Sequence, residues 1–151
     1  MLNHATMLIA VMPLLSFTPQ PYDERADARA EIARMLQCAR EEQKPLLLMF
    51  GANWCPWCRK LDQLLATDKE IAPLADEIFL RLNVDIGEYD RNLALAAEYG
   101  LSTLDDTGIP MLVVLRPDGS VHAVKNSEDF VVGSGYAKGT VQRFLKSFAK
   151  H

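Results

Sequence analysis

The stretch FGANWCPWCRKLDQLL, Phe50 to Leu65, sets Cys55 and Cys58 three residues apart, with Pro56 and Trp57 between them and Trp54 just before. Such a pair is a reactive dithiol, half of a metal site or an inert staple, and its surroundings bear on which. The continuous apolar run LLLMF, Leu46 to Phe50, precedes it and reads as a short strand buried on both faces. The residues that follow, roughly Pro56 to Ala66, read as a helix. A cysteine at such a junction faces the unpaired N–H groups and the positive dipole end of the new helix. There a thiol drops from about 8.5 into the range of roughly 3.5–7.5, and the thiolate is the nucleophile. Cys55 occupies that place. Pro56 suits the first helical turn, where its missing N–H costs nothing. Cys58 lies one turn on, further inside and within reach of Cys55. This geometry supports two steps: Cys55 attacks a substrate disulfide, and Cys58 resolves the mixed disulfide.

The other readings are weaker. An inert bridge across so short a loop gains little stability. A metal site takes four ligands, and one C-x-x-C supplies two, while His4, His122 and His151 are scattered without ligand spacing. No metal is expected. Cys38, the third cysteine, sits on the edge of an apolar helical stripe and reads as a packed thiol.

The chain has 151 residues, enough for one domain with a sizeable core. It is 49% hydrophobic and 24% charged, with a formal net charge of -4. No Lys/Arg-rich run is present, so nucleic acid is not an expected partner. Three cysteines are too few for a disulfide scaffold. The apolar run MLIAVMPLLSF, Met7 to Phe17, is 11 residues long. It is too short to span a bilayer and fits the apolar region of a secretory signal. Residues 1–21 are therefore read as a signal-like segment and linker, and residues 22–151 as the folded domain. Export, with a periplasmic destination, is the expected localisation, and a cytoplasmic location is the alternative.

Along the domain, Tyr22 to Gln43 reads as a helix with Ile32, Met35, Leu36 and Ala39 on one face. TDKE, Thr67 to Glu70, reads as a capping box that starts a further helix. IFLRLNVD, Ile78 to Asp85, reads as the next strand, followed by a helix with Asp90 as N-cap and Gly100 as stop. Met111–Arg116 and Ser120–Lys125 flank the turn Pro117-Asp118-Gly119 as an antiparallel hairpin. A last helix is expected over roughly Thr140 to Ala149. The alternating order implies a mixed sheet covered by helices on both faces.

The Trp-Cys-x-x-Cys after a buried strand, together with LRLNVD, EYG followed by GIP, and MLVVLRPDGS, resembles the thioredoxin superfamily. FGANWC followed by CRKLD is similar to secreted bacterial thioredoxin-like or disulfide-isomerase-like proteins. The resemblance runs from about Ala28 to the C-terminus. It implies an α/β thioredoxin-like fold, a mixed central sheet of about four strands flanked by helices. It implies a redox-active Cys55–Cys58 disulfide and no other cofactor. It also implies that Pro110 is cis and that the Ile109 backbone offers an edge to an extended peptide.

Two positions depart from the family pattern. Met49 stands six residues before Cys55, where many thioredoxins carry a buried carboxylate as proton relay. LSTLDDT, Leu101 to Thr107, lengthens the connection before Gly-Ile-Pro beside the dithiol, where Asp105 and Asp106 read either as charges that disfavour acidic substrates or raise the Cys55 pKa, or equally as part of a solvated loop. Arg81 takes the place of the usual basic partner. Trp54, Trp57, Ile109 and Pro110 are the expected substrate contacts. Of the two tryptophans, Trp54 is accounted for by packing and Trp57 reads as the contact surface. Pro56 and Arg59 take structural and electrostatic roles.

The leading functional reading is a monomeric thiol–disulfide oxidoreductase. It acts on cysteine-containing protein substrates, is served by a redox partner protein, has no stable membrane span, and its direction (reductase, oxidase or isomerase) is open. The alternative is a peptide-binding or chaperone-like module with an incidental dithiol.

Overall fold

The computed structural model describes residues 19–150, so the apolar run Met7–Phe17 lies outside the described residues. The fold is built on β1 (Leu46–Gly51), whose six residues are all buried. Side chains alternate across a strand, and here both faces are covered. Leu47 and Met49 enter one core, with Leu61, Ile71 and Leu145, while Leu46, Leu48 and Phe50 enter a second, with Ile32, Val84 and Leu95. Each such side chain withdrawn from water contributes about 1.5–3 kcal/mol before entropy is subtracted.

β1 pairs in parallel with β2 (Leu80–Asp85) and antiparallel with β3 (Met111–Leu115). β3 pairs antiparallel with β4 (Val121–Asn126), giving the order β2-β1-β3-β4. This is the expected α/β fold with a mixed four-stranded sheet. The parallel pair requires a crossover, which α2 (Pro56–Thr67) and α3 (Ile71–Ile78) supply. The β3–β4 turn closes on Pro117-Asp118-Gly119, with Gly119 at φ 89.

Several boundaries differ from expectation. α1 spans Ala28–Glu42, not from Tyr22, because the Asp27 carboxylate accepts from the Ala30 N–H and starts the helix there. Tyr22 stays outside and is buried. Thr67 is not the cap of α3. It closes α2, its hydroxyl donating to the Gln63 carbonyl at 2.7 Å, and Asp68 instead accepts from the N–H groups of Glu70 and Ile71. α3 runs through Ile78, so β2 begins two residues later than expected. α4 is Leu93–Glu98. Asp90 does not cap it, because its carboxylate accepts from the Glu88 N–H in the preceding turn. The connection from Leu101 is not a plain loop: Leu104–Thr107 forms a helical turn, α5.

After β4 come a 3-10 turn (Ser127–Phe130) and a small hairpin of β5 (Val131–Val132) and β6 (Gly135–Tyr136) that the sequence pattern did not announce. α6 spans Lys138–Lys146. It packs Phe144 on Phe130, with centroids 5.3 Å apart, and just beyond its end Phe148 meets Phe79 at 5.5 Å.

Candidate active site

The chain leaves the buried end of β1 through a tight turn in which the Cys55 N–H donates to the Ala52 carbonyl at 3.2 Å. Cys55 is the N-cap of α2, with extended backbone, and its sulfur accepts from the Cys58 N–H at 3.2 Å. Pro56 is exposed at the first helical position. Across the gap lies the loop before β3. The Ile109–Pro110 peptide bond is cis, Pro110 is buried, and the Ile109 carbonyl is 3.8 Å from the Cys55 sulfur, which donates to it as a thiol. Both cysteines are free thiols.

The two sulfurs differ in kind. Cys55 is 4% exposed and Cys58 is 0% exposed. The Cys58 side chain, hydrogen-bonded to Cys55, brings Cys55 down to about 7; the N–H groups of Cys58 and Trp57 and the charge of exposed Arg59 add to this, while burial opposes it. Cys58 is pushed far up, by that same hydrogen bond and by burial. The expected upward push of Asp105 and Asp106 on Cys55 does not prevail: the net shift is downward, and both carboxylates are exposed on α5. At neutral pH the pair therefore holds one ready nucleophile and one protonated, enclosed thiol.

The two tryptophans differ in how they are held. Trp54 is not held by burial; it is 50% exposed, with its indole N–H on the Gly87 carbonyl at 2.8 Å and its ring 5.9 Å from that of Tyr89. Trp57 is half-buried, edge-on to Tyr136 at 5.2 Å, with the Lys60 ammonium 4.6 Å from its ring centroid. Trp57 and Ile109 line a groove beside the dithiol together with Gly108, Asn126, Val131 and Tyr136. Arg81 is absorbed by an ion pair with Asp76 at 2.8 Å. Cys38 is half-buried on α1, whose Ala28 and Ile32 serve the core on the sheet face opposite α2, so it does not join the pair. Among the described residues no group of three or more His, Cys, Asp or Glu is arranged to hold a metal ion.

Met49 is buried where a carboxylate was sought. The residue sequence reasoning missed is Tyr22. It lies against Cys58: a Cβ placed on Gly51 would be 2.5 Å from its hydroxyl oxygen and 2.6 Å from the Cys58 sulfur. Its backbone is clipped by Asn53, which accepts from the Tyr22 N–H at 3.0 Å and donates to the Tyr22 carbonyl at 2.9 Å. The signal lay in FGANWC itself, where a glycine leaves room and an asparagine holds the arm.

A thioredoxin-like family model matches residues 27–117, more than half of the chain. The chain belongs to the thioredoxin-like family. Among solved structures, this thioredoxin-like chain is similar to a disulphide isomerase from Xylella fastidiosa Temecula1, at 32% identity and a TM-score of 0.76, over 87% of this chain and 98% of that one. It is similar to the C-terminal domain of Neisseria meningitidis DsbD, at 27% identity and a TM-score of 0.58, over 82% of this chain and 97% of that one. It is 28% identical over 126 residues to the thiol:disulfide interchange protein DsbD of Ralstonia nicotianae, covering 79% of this chain and 20% of that protein. The chain spans between 10% and 55% of the length of the curated relatives it matches. No helix of the thioredoxin-like domain's described residues is long and apolar enough to cross a membrane.

Proposed function

We propose that this protein is a thiol–disulfide oxidoreductase that exchanges disulfides with cysteine-containing protein substrates. The observation that carries the reading is the placement of Cys55. It caps α2, takes the Cys58 N–H at 3.2 Å, and faces the Ile109 carbonyl at 3.8 Å. In the reducing direction the Cys55 thiolate attacks one sulfur of a substrate disulfide. The substrate S–S bond breaks, one substrate thiolate leaves, and a mixed disulfide remains on Cys55. Cys58 then attacks the Cys55 sulfur, the mixed disulfide breaks, and the second substrate thiol departs. The substrate gains two electrons, and the protein ends with a Cys55–Cys58 disulfide that a redox partner protein reduces. The reverse sequence oxidises a substrate dithiol, and attack of Cys55 on a substrate disulfide followed by attack of a different substrate thiolate on the mixed disulfide isomerises the substrate and frees Cys55.

Trp54, Trp57, Ile109 and Pro110 form the substrate-facing rim, with Ile109 offering its backbone to an extended segment and the groove beside Trp57 taking a side chain. Insulin reduction with dithiothreitol as electron source tests the reading. The wild-type chain accelerates precipitation of the insulin B chain, and Cys55→Ser abolishes the acceleration. A wild-type chain that gives little acceleration, leaving Cys55→Ser little activity to lose, would point to a peptide-binding module with an incidental dithiol. The direction of net flow follows from the reduction potential, measured by glutathione titration. The reading includes export through the Met7–Phe17 segment and a monomeric state, which cell fractionation and light scattering address.

A further inference from the structure

Resolution asks a buried sulfur to become an anion. Cys58 is 0% exposed, and a buried charge is costly unless a hydrogen bond is made to it. The position that would hold a carboxylate is Met49, so no acid in β1 serves Cys58. The Tyr22 hydroxyl lies beside the Cys58 sulfur, the two atoms filling the space over Gly51 that a side chain there would take. Tyr22 is 1% exposed, and among the described residues its hydroxyl is the buried side-chain oxygen left without a hydrogen-bond partner. An orphaned buried hydroxyl costs stability. It becomes useful when the neighbouring thiol turns into a thiolate and accepts it.

We propose that Tyr22 is the hydrogen-bond donor that stabilises the Cys58 thiolate in the resolving step, in the role for which Met49 is unsuited. The proposal rests on the exchange reading given above. In the step, Cys58 loses its proton and attacks the Cys55 sulfur. The bond between Cys55 and the substrate sulfur breaks, and the departing substrate thiolate takes up a proton, so charge and protons balance without a further reactant. Tyr22 keeps its own proton throughout. Burial, then Cys58 and Asp62, hold its phenol well above the ordinary range, which makes it a donor and not a base. The Ala52 backbone and, after it, the Tyr22 hydroxyl pull Cys58 downward, against the larger upward push of Cys55 and burial. A hydrogen bond made only in the anionic state acts on the rate, not on the resting fold.

The remaining groups that act on this pair are the Ala52 backbone, Cys55 at the cap of α2 and Asp62 within it, with Tyr89 and Tyr136 at its margin and Arg59 beside Cys55. Asp62 is occupied, accepting from the Asn83 side chain at 2.7 Å. That asparagine also donates to the Pro21 carbonyl at 2.8 Å, which steadies the arm that carries Tyr22.

The test uses the reduced full chain in a Cys38→Ser background, mixed with 5,5′-dithiobis(2-nitrobenzoate) in a stopped-flow cell. Attack by Cys55 releases one thionitrobenzoate, and resolution by Cys58 releases the second. In Tyr22→Phe the first phase keeps its rate. The second slows about tenfold or more, the loss that accompanies removal of one hydrogen bond to a charged group, and its pH midpoint moves upward. 3-Fluorotyrosine placed at position 22 keeps the ring, strengthens the donor and speeds the second phase. Asp62→Asn, which removes a charge near Tyr22 but leaves the phenol in place, slows it less than Tyr22→Phe does. A second phase in Tyr22→Phe with wild-type rate and pH midpoint, the first phase being intact, overturns the proposal. So does slowing in Asp62→Asn alone. A wild-type chain without any Cys58-dependent phase removes the exchange reading itself, and the proposal with it.

Discussion

Replacing Gly51 by alanine adds one methyl group at the most confined point of the fold. The backbone there is extended and accepts any residue, so the cost is steric. The new Cβ would stand 2.5 Å from the Tyr22 hydroxyl oxygen, 2.8 Å from its Cζ and 2.6 Å from the Cys58 sulfur. Ordinary contact is about 3.5–4.0 Å, so these neighbours have to retreat by about 1 Å. The strand cannot retreat, because Gly51 pairs with Asp85 and its carbonyl accepts from the Ile86 N–H at 2.9 Å. Cys58 is fixed in the first turn of α2, so Tyr22 moves. Forcing a methyl group into a filled core costs about 1–3 kcal/mol. At about 2–4 °C per kcal/mol for a chain of this size, the melting temperature falls by about 2–12 °C. Circular dichroism melts in excess dithiothreitol read this without a contribution from the disulfide. Tyr22→Phe removes the nearest clashing atom, so Gly51→Ala is less damaging in that background than in the wild type, and the two changes are not additive. A Gly51→Ala protein melting within a degree of wild type, or strict additivity of the pair, would refute the placement of Tyr22 over Gly51.

Alkylation of Cys55 by iodoacetamide rises with pH through a midpoint near about 7, and Cys58→Ala moves that midpoint upward because it removes the largest lowering contribution; an unmoved or lower midpoint contradicts the coupling. The same variant accumulates mixed disulfides through Cys55, visible by non-reducing electrophoresis, and no excess over the double cysteine variant defeats the two-step scheme. Trp54→Ala reduces turnover of a protein substrate several-fold and leaves Cys55 alkylation by a small reagent alone; equal loss of both assigns Trp54 to thiol tuning. Asp68 is held down to about 2, first by Lys138 and then by the α3 amides, so its stabilisation is complete above the ordinary carboxylate value of 3.8 and is lost as pH falls through about 2. Asp68→Asn flattens the dependence of melting temperature on pH across that window, and an unchanged slope rejects the assignment.

The parts of the molecule legible in the sequence are those set by short-range physics. A continuous apolar run followed by Pro56 at a helix start defines the β1–α2 junction, and with it the outer and inner cysteines. Pro117-Asp118-Gly119 defines a turn because Gly119 accepts positive φ. What was illegible depends on competition or on distance. Thr67 and Asp68 are both competent caps, and which one serves is settled by where α2 ends, one hydroxyl bonding backward and one carboxylate forward. Tyr22 looked like the first turn of α1 because aromatic residues are common on helical faces. The Asp27 cap starts α1 at Ala28, and the tertiary clip from Asn53, 31 residues away, holds Tyr22 outside it. The cover over Trp57 was illegible for the same reason. Trp57 is covered by Tyr136, 79 residues later, in a hairpin whose two-residue strands are too short to show a period.

That hairpin has a consequence for how substrate range can change. Val131–Val132 and Gly135–Tyr136 pair with each other and with no strand of the main sheet. The base is closed by the Ala137 N–H on the Phe130 carbonyl at 2.8 Å, and the tip is tethered by Lys60 to the Ser134 carbonyl at 2.8 Å. Val131 and Tyr136 line the groove, and Val132 is 71% exposed. The wall is thus a small separate hairpin, tied to α2 by Tyr136 and Lys60. Tyr136 is anchored to the first core and to the Trp57 carbonyl, so it is the fixed side of the wall, whereas exposed Val132 is free to vary, and selectivity for the segment beside the scissile disulfide can drift or be engineered there while Cys55 and Cys58 keep their relation.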